Sequence, residues 1–200
     1  MSLDTLLAEA RSWSGAEAVA VVLAVGYLLL AIRQNIWCWL CAGISTALYV
    51  YLFGAARLYM ESALNVFYLA MAVYGWYSWY FGRSDDHEMP VSVWRLPIHG
   101  VAITAVVLAS LASGYLLRTY TDAAYPYIDS LTTFSAVWAT FLVARKVLEN
   151  WWYWLAIDLT ASVIYWLRDL QLTSLLFVLY VAMIPFGLVN WTRSWREAQG

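Results

Sequence analysis

Long apolar segments, separated by short polar breaks, occupy almost the whole chain. Each is close to the roughly 20 residues that a helix needs to cross the hydrocarbon core of a bilayer. The pattern therefore predicts an all-α integral membrane protein with seven transmembrane helices. The predicted spans are 16–32, 36–53, 61–81, 96–117, 127–143, 151–167 and 172–191.

The polar breaks indicate how the chain is divided. Residues 1–15 are predicted to form a short amphipathic helix on the membrane surface, started by Asp4, and 83–95 a flexible cytoplasmic loop. The remaining segments are a first three-helix unit (16–82), a linking helix (96–118), a second three-helix unit (124–193) and a cytoplasmic tail (194–200).

An internal repeat relates the third predicted helix to the seventh. Tyr68, Gly75 and Trp79 are matched, gap for gap, by Tyr180, Gly187 and Trp191. After a shift of three residues, a second match pairs Asn35, Trp37, Trp39 and Leu40 with Asn150, Trp152, Trp154 and Leu155. Helices one to three are thus predicted to correspond to five to seven, in a 3+1+3 parallel repeat with the substrate site between the halves.

Composition excludes several classes of protein. The chain is 64% hydrophobic and 12% charged, whereas a soluble domain has about a quarter of its residues charged. A net charge of -2 offers no basic surface for nucleic acid. The sequence has no glycine-rich phosphate loop, no Cys/His metal spacing and no Ser/His/Asp constellation. Neither an enzyme nor a cofactor is expected.

The distribution of Lys and Arg predicts the orientation in the membrane. One side would hold Arg11, Arg57, Arg118 and Arg168, and the other Arg33, Arg83, Arg95, Arg145, Lys146, Arg193 and Arg196. Because positive loops stay in the cytoplasm, the N-terminus is predicted outside and the C-terminus in the cytoplasm.

The sixth predicted helix carries the strongest candidate for chemistry. At spacings of three or four, Trp151, Trp154, Asp158, Ser162 and Tyr165 share one face. A charge in the middle of a membrane helix costs roughly 2.5 to 3.5 kcal/mol on insertion scales, so Asp158 needs a partner or a purpose. The functional interpretation is a binding site, and the alternative is an acid that only fixes helix packing.

The third and seventh helices have comparable stripes. They are Glu61, Asn65, Tyr68, Ala72, Gly75 and Trp79, and Thr173, Phe177, Tyr180, Ile184, Gly187 and Trp191. Gly75 and Gly187 are predicted to serve close helix packing. Aromatic walls suit a planar heterocycle, and a nearby carboxylate suits a positively charged one. Trp79 and Trp191 stand near span ends and are predicted to be interface anchors. Asp129, Thr132 and Thr133 form a second polar cluster, or a plain helix cap.

Three signatures resemble those of the PnuC vitamin transporters, whose best-known members carry nicotinamide riboside. They are Glu61-x3-Asn65-x2-Tyr68-x5-Tyr74-Gly75-Trp76-x2-Trp79, Glu149-Asn150-Trp151-x2-Trp154-x3-Asp158 and Tyr180-x6-Gly187-x3-Trp191. The resemblance extends from about residue 30 to the end of the chain. It implies a fold similar to that of the SWEET sugar transporters, a homotrimer, and a place in the bacterial inner membrane.

The same resemblance implies uptake of a vitamin precursor by facilitated diffusion, with the substrate trapped by a cytoplasmic kinase that need not touch the transporter. Nicotinamide riboside ranks first, thiamine is the close alternative, and riboflavin ranks third. The expected substrate-binding residues are Asp158, Trp154, Trp151, Tyr165, Asn65, Tyr68, Glu61, Phe177 and Tyr180. A structural or receptor-like membrane protein without a transport cycle is the alternative of a different class.

Overall fold

Seven α-helices make up most of the structure, a computed structural model that describes residues 15–55, 57, 59–82, 88–122, 125–167 and 171–199. They are α1 (Gly15–Ile32), α2 (Cys38–Ala55), α3 (Tyr59–Phe81), α4 (Leu96–Tyr120), α5 (Pro126–Ala144), α6 (Asn150–Leu167) and α7 (Gln171–Glu197). Each coincides with one predicted span, so the prediction of an all-α chain with seven helices is confirmed. Only α7 runs several residues further than predicted. The predicted surface helix falls almost entirely on residues 1–14, outside the described residues.

The helices differ in how apolar they are. Of the described helices, four are long and apolar enough to cross a membrane by length and composition: α2, α4, α5 and the 173–197 part of α7. α1 contains a shorter apolar stretch, Ala18–Ile32. α3 and α6 are rich in Trp and Tyr, amphipathic rings that prefer membrane interfaces and therefore lower the hydropathy of a helix.

Neighbouring helices in the chain pack against each other. α1 packs on α2 and α2 on α3, while α5 packs on α6 and α6 on α7. α4 packs against α5. Two further contacts, α3 with α5 and α1 with α7, join the first three helices to the last three.

Two tryptophan–glycine contacts bring the paired helices close together. In α3, a Cβ atom added to Gly75 would lie 2.4 Å from the ring of Trp39 in α2. In α7, a Cβ atom added to Gly187 would lie 2.4 Å from the ring of Trp151 in α6. Both rings lie flat against bare backbone, as the packing interpretation of these glycines requires.

The same two rings meet a second tryptophan each. Trp39 contacts Trp79 edge-on, with 5.6 Å between ring centroids, and Trp151 contacts Trp191 in the same way at 5.6 Å. By these contacts Trp39 corresponds to Trp151, not to Trp154 as the shifted sequence match predicts. The sequence match chose the wrong register because both segments have tryptophans at alternate positions, which align equally well in more than one register.

The described part of the long loop between α3 and α4 is fixed in place. The Ser92 amide donates to the Lys146 carbonyl, and the Leu148 amide donates to the Ser92 carbonyl, both at 2.9 Å. These bonds tie the approach to α4 onto the loop between α5 and α6. The polar residues 83–87, which contribute most to the prediction of a flexible loop, lie outside the described residues.

Candidate functional site

A cavity of about 400 Å³ lies between α1, α5, α6 and α7, with one further wall residue from α3. Along α5 it extends from Asp129 in the first turn to Val143 in the last, which is about 21 Å at 1.5 Å per residue. We call its limit at Ala31, Val143 and Asn150 the closed end, because these residues are almost fully buried. The volume is within the usual range for small-molecule sites.

Seven of the nine expected binding residues line this cavity. They are Asp158, Trp154, Trp151, Tyr165, Tyr68, Phe177 and Tyr180. The stripe on α6 lies along the wall because residues three or four apart on a helix share one face. Ser162 belongs to the same stripe but is absent from the described lining, and its hydroxyl donates to the Leu159 carbonyl of its own helix at 2.8 Å.

The other two expected residues are not on the wall. Asn65 is half-buried in α3, one turn before Tyr68, and is absent from the described lining of the cavity. Glu61 lies in the first turn of α3, and its side chain is outside the part of the chain that the structure describes. A role for either residue stays a prediction.

Asp158 is the most deeply placed acid of the cavity. Only 4% of the surface of Asp158 is exposed, and no described residue donates a hydrogen bond to its carboxylate. An isolated buried carboxylate is costly, so it needs a ligand that brings positive charge or hydrogen-bond donors. The chemistry of the position therefore favours a cation or a polyhydroxylated molecule.

Aromatic rings from α6 and α7 line the same cavity as the acid. Tyr165 and Phe177 are stacked, with 5.3 Å between centroids and 19° between planes. Phe177 then meets Tyr180 edge-on at 5.7 Å. Trp154 lies one turn from Asp158 on the same face of α6. Such a group of rings can stack on a flat heterocycle while the carboxylate pairs with its charge.

Some residues of the wall were not among those expected to bind. Asp129, Thr132 and Thr133, which the sequence shows as a polar cluster, form the part of the α5 wall farthest from the closed end. Tyr27 of α1 and Asn150 of α6 also line the cavity. Asn150 belongs to one of the signatures that resemble the PnuC transporters. Nothing in the sequence pattern indicated that Tyr27 lines a cavity, because α1 is apolar on all its faces.

The closed end contains buried polar atoms that no described group satisfies. Asn150 donates through Nδ2 to the Val147 carbonyl at 2.7 Å, but its Oδ1 has no described partner. The indole nitrogen of Trp151 also has none among the described residues. Both residues line the cavity, but these two atoms are themselves buried and closed off from it in this structure.

The prediction that Trp79 and Trp191 are interface anchors is wrong. Both are buried, with 2% and 0% of their surface exposed. The Trp79 indole donates to the Val143 carbonyl at 3.2 Å, and the Trp191 indole to the Ala31 carbonyl at 3.0 Å. A tryptophan near the end of a span can face a neighbouring helix as easily as the lipid headgroups, and hydropathy does not distinguish the two.

Comparison with known proteins supports the resemblance seen in the signatures. The chain is 26% identical over 193 residues to the riboflavin/roseoflavin transporter RibM of Streptomyces davaonensis, which covers 94% of this chain and 88% of that protein. It is 23% identical over 207 residues to the nicotinamide riboside transporter PnuC of Escherichia coli K12, covering 90% and 86%.

A solved structure has a similar fold. The crystal structure of the vitamin B3 transporter PnuC superposes with a TM-score of 0.71 at 20% identity, over 91% of this chain and 82% of that one. The sequence profile of the family described as nicotinamide mononucleotide transporter matches residues 14–193. This match spans all seven helices almost from end to end. The chain therefore belongs to the nicotinamide mononucleotide transporter family, the multi-pass membrane transporters that include PnuC.

Proposed function

We propose that this transporter carries nicotinamide riboside by facilitated diffusion and that phosphorylation by a cytoplasmic kinase, without direct contact, traps the substrate. The observation that supports it most is Asp158, a buried carboxylate without a described donor, beside aromatic rings in a cavity of about 400 Å³. A pyridinium ring is flat and positively charged, so it can satisfy both features at once.

The proposed pose follows from the positions of the two acids. The pyridinium would stack on Trp154, one turn from Asp158, with its charge against that carboxylate. The ribose would then lie toward the first turn of α5, where Asp129 and Thr132 supply oxygen atoms for its hydroxyl groups. The likeness to PnuC of Escherichia coli, a nicotinamide riboside transporter, favours the same substrate.

Riboflavin is the second candidate, because the chain is also similar to RibM over most of its length. The isoalloxazine ring is flat but uncharged, so the carboxylates would have to accept hydrogen bonds from ribityl hydroxyls. Thiamine is a flat cation like nicotinamide riboside and fits the same charge argument. The two cationic vitamins and the neutral flavin therefore make different demands on Asp158.

A binding assay with purified protein distinguishes these candidates. Isothermal titration with nicotinamide riboside, thiamine and riboflavin should give the tightest binding for nicotinamide riboside. Binding of riboflavin alone, with the same affinity in the Asp158→Asn variant, would overturn the cation proposal and leave the neutral flavin.

The transport mode needs a separate test. In proteoliposomes without any ion gradient, labelled vitamin should enter until the concentrations inside and outside are equal. Accumulation driven by an imposed proton or sodium gradient would contradict facilitated diffusion.

The architecture implied by the sequence is part of this proposal. We infer a 3+1+3 parallel repeat from the matching tryptophan–glycine contacts. We infer a cytoplasmic C-terminus from the distribution of Lys and Arg, and a homotrimer from the resemblance to the PnuC transporters. Cysteine labelling of a tag placed after Gly200 tests the orientation, and native mass spectrometry tests the trimer. A tag labelled from outside intact cells would overturn the orientation.

A further inference from the structure

Two tryptophans link the two groups of three helices at the closed end of the cavity. The Trp79 indole, from α3, donates to the Val143 carbonyl in the last turn of α5 at 3.2 Å. The Trp191 indole, from α7, donates to the Ala31 carbonyl in the last turn of α1 at 3.0 Å. Each bond thus runs from one group to the other, in opposite directions.

The two accepting residues are also the last cavity-lining residues of their helices. Ala31 and Val143 both line the cavity, whereas the rings of Trp79 and Trp191 lie behind it. The rings contact each other, with 6.2 Å between centroids. A molecule that leaves the cavity through this end must therefore separate these rings and break one or both indole hydrogen bonds.

We propose that Trp79 and Trp191 form the gate at the closed end of the cavity. The indole N–H groups hold the ends of α5 and α1 in place, and the paired rings fill the space between the two groups of helices. Transport through this end then requires both rings to move aside. Both tryptophans thus serve the transport step, although neither lines the cavity in this structure.

The two sides of the gate are held differently. Beside Trp191, Asn190 donates to the Ile32 carbonyl at 2.7 Å and Gln34 donates to the Ser194 hydroxyl at 2.8 Å. These bonds add two more links to the end of α7, one from the last residue of α1 and one from the turn that follows it. Loss of the Trp191 hydrogen bond would therefore leave this side with other contacts.

Beside Trp79, the support comes from a buried lysine. Lys146 places its ammonium 4.6 Å from the centroid of the Trp79 ring and donates to Gln34 at 3.3 Å. Only 2% of the surface of Lys146 is exposed. A cation over an indole face is attractive, so the charge holds Trp79 in the closed position. Loss of the Trp79 hydrogen bond would therefore still leave the contacts of Lys146 with Trp79 and Gln34 on this side.

Access of a thiol reagent to a cysteine at the gate tests the proposal. Val143→Cys, in a background without Cys38 and Cys41, places a thiol beside the indole of Trp79. A membrane-impermeant maleimide is applied from the side on which a tag after Gly200 is accessible. The end of α7 lies beside the gate, so this is the correct side whichever way the protein is oriented in the membrane.

Trp79→Phe keeps a ring and removes the hydrogen-bond donor. Since one hydrogen bond shifts an equilibrium by about fivefold, labelling of Val143→Cys should become about five times faster. Trp191→Phe should accelerate labelling at position 143 less, because Trp191 donates to Ala31 and not to Val143, and the hydrogen bonds of Asn190 and Gln34 beside it remain. Trp152→Phe, an exposed tryptophan on α6, is the matched control and should leave the rate unchanged.

A second cysteine separates gating from unfolding. Ala139 lies one turn before Val143 on α5, is fully buried and does not line the cavity, so a cysteine is placed there. It should stay protected in every variant. An unchanged labelling rate at position 143 in Trp79→Phe would overturn the gate proposal. Equal acceleration at positions 139 and 143 would also overturn it, because the tryptophan would then have a purely structural role. Neither measurement depends on which vitamin is carried.

Discussion

The α2–α3 pair and the α6–α7 pair are packed in the same way. In each pair a tryptophan of the first helix covers a glycine of the second, at positions 39 and 75 and again at 151 and 187. A serine bond recurs as well: Ser62 donates to the Val50 carbonyl at 3.0 Å, and Ser174 donates to the Ser162 carbonyl at 2.8 Å. The two pairs therefore have a common frame.

Their chemistry differs. Seven residues after Trp39 stands Thr46, whose hydroxyl donates to the Ala42 carbonyl of its own helix at 2.8 Å. Seven residues after Trp151 stands Asp158, which lines the cavity. The frame is common to both pairs, whereas the acid occurs in only one of them. The frame and the acid can thus be changed separately.

The largest expected effect comes from the frame. Gly187→Ala would place a methyl group against the fixed ring of Trp151, and Gly75→Ala one against Trp39. Overpacking of this kind costs about 3 kcal/mol, so both variants should lower the thermal unfolding temperature in detergent to a similar extent.

Gly43→Ala is the control for the glycine variants. There the nearest atoms to an added Cβ are 3.9 Å away, in ordinary contact, so stability should change little. A large loss in only one of Gly75→Ala and Gly187→Ala would show that the two pairs do not share one frame.

The next effect concerns the chemistry. Asp158→Asn keeps shape and removes charge, and should weaken binding of nicotinamide riboside by roughly 1 to 3 kcal/mol, or about five- to 150-fold. Thr46→Val, the corresponding position in α2, should leave the dissociation constant unchanged. Titration calorimetry measures both. If Asp158→Asn bound normally but unfolded at a lower temperature, the acid would be a packing contact.

The smallest effect should be common to both halves. Tyr68 of α3 and Tyr180 of α7 both line the cavity. Replacement of either by Phe removes one hydroxyl and should weaken binding about threefold, a change within the range for one hydrogen bond. Unequal losses would identify the half that contributes more contacts to the ligand.

The sequence predicts the helices well because the apolar runs are close to the length of a membrane-spanning helix and are separated by polar breaks. It also predicts the α6 wall of the cavity, since the helical period alone puts Trp154, Asp158 and Tyr165 on one face. It places Trp79 and Trp191 wrongly, because a tryptophan near a span end has the sequence pattern of an interface residue whether its ring faces lipid or a neighbouring helix. The contribution of Tyr27 depends on which face of a uniformly apolar helix turns inward, and that is decided by neighbouring helices.

The two backbone hydrogen bonds of Ser92 indicate which helices would move together in a conformational change. They attach the approach to α4 to the loop between α5 and α6, and α4 itself packs against α5. His99 of α4 adds a 3.0 Å contact with the Tyr153 hydroxyl of α6. In a rigid-body rearrangement α4 would then travel with the last three helices, so three helices would swing against four.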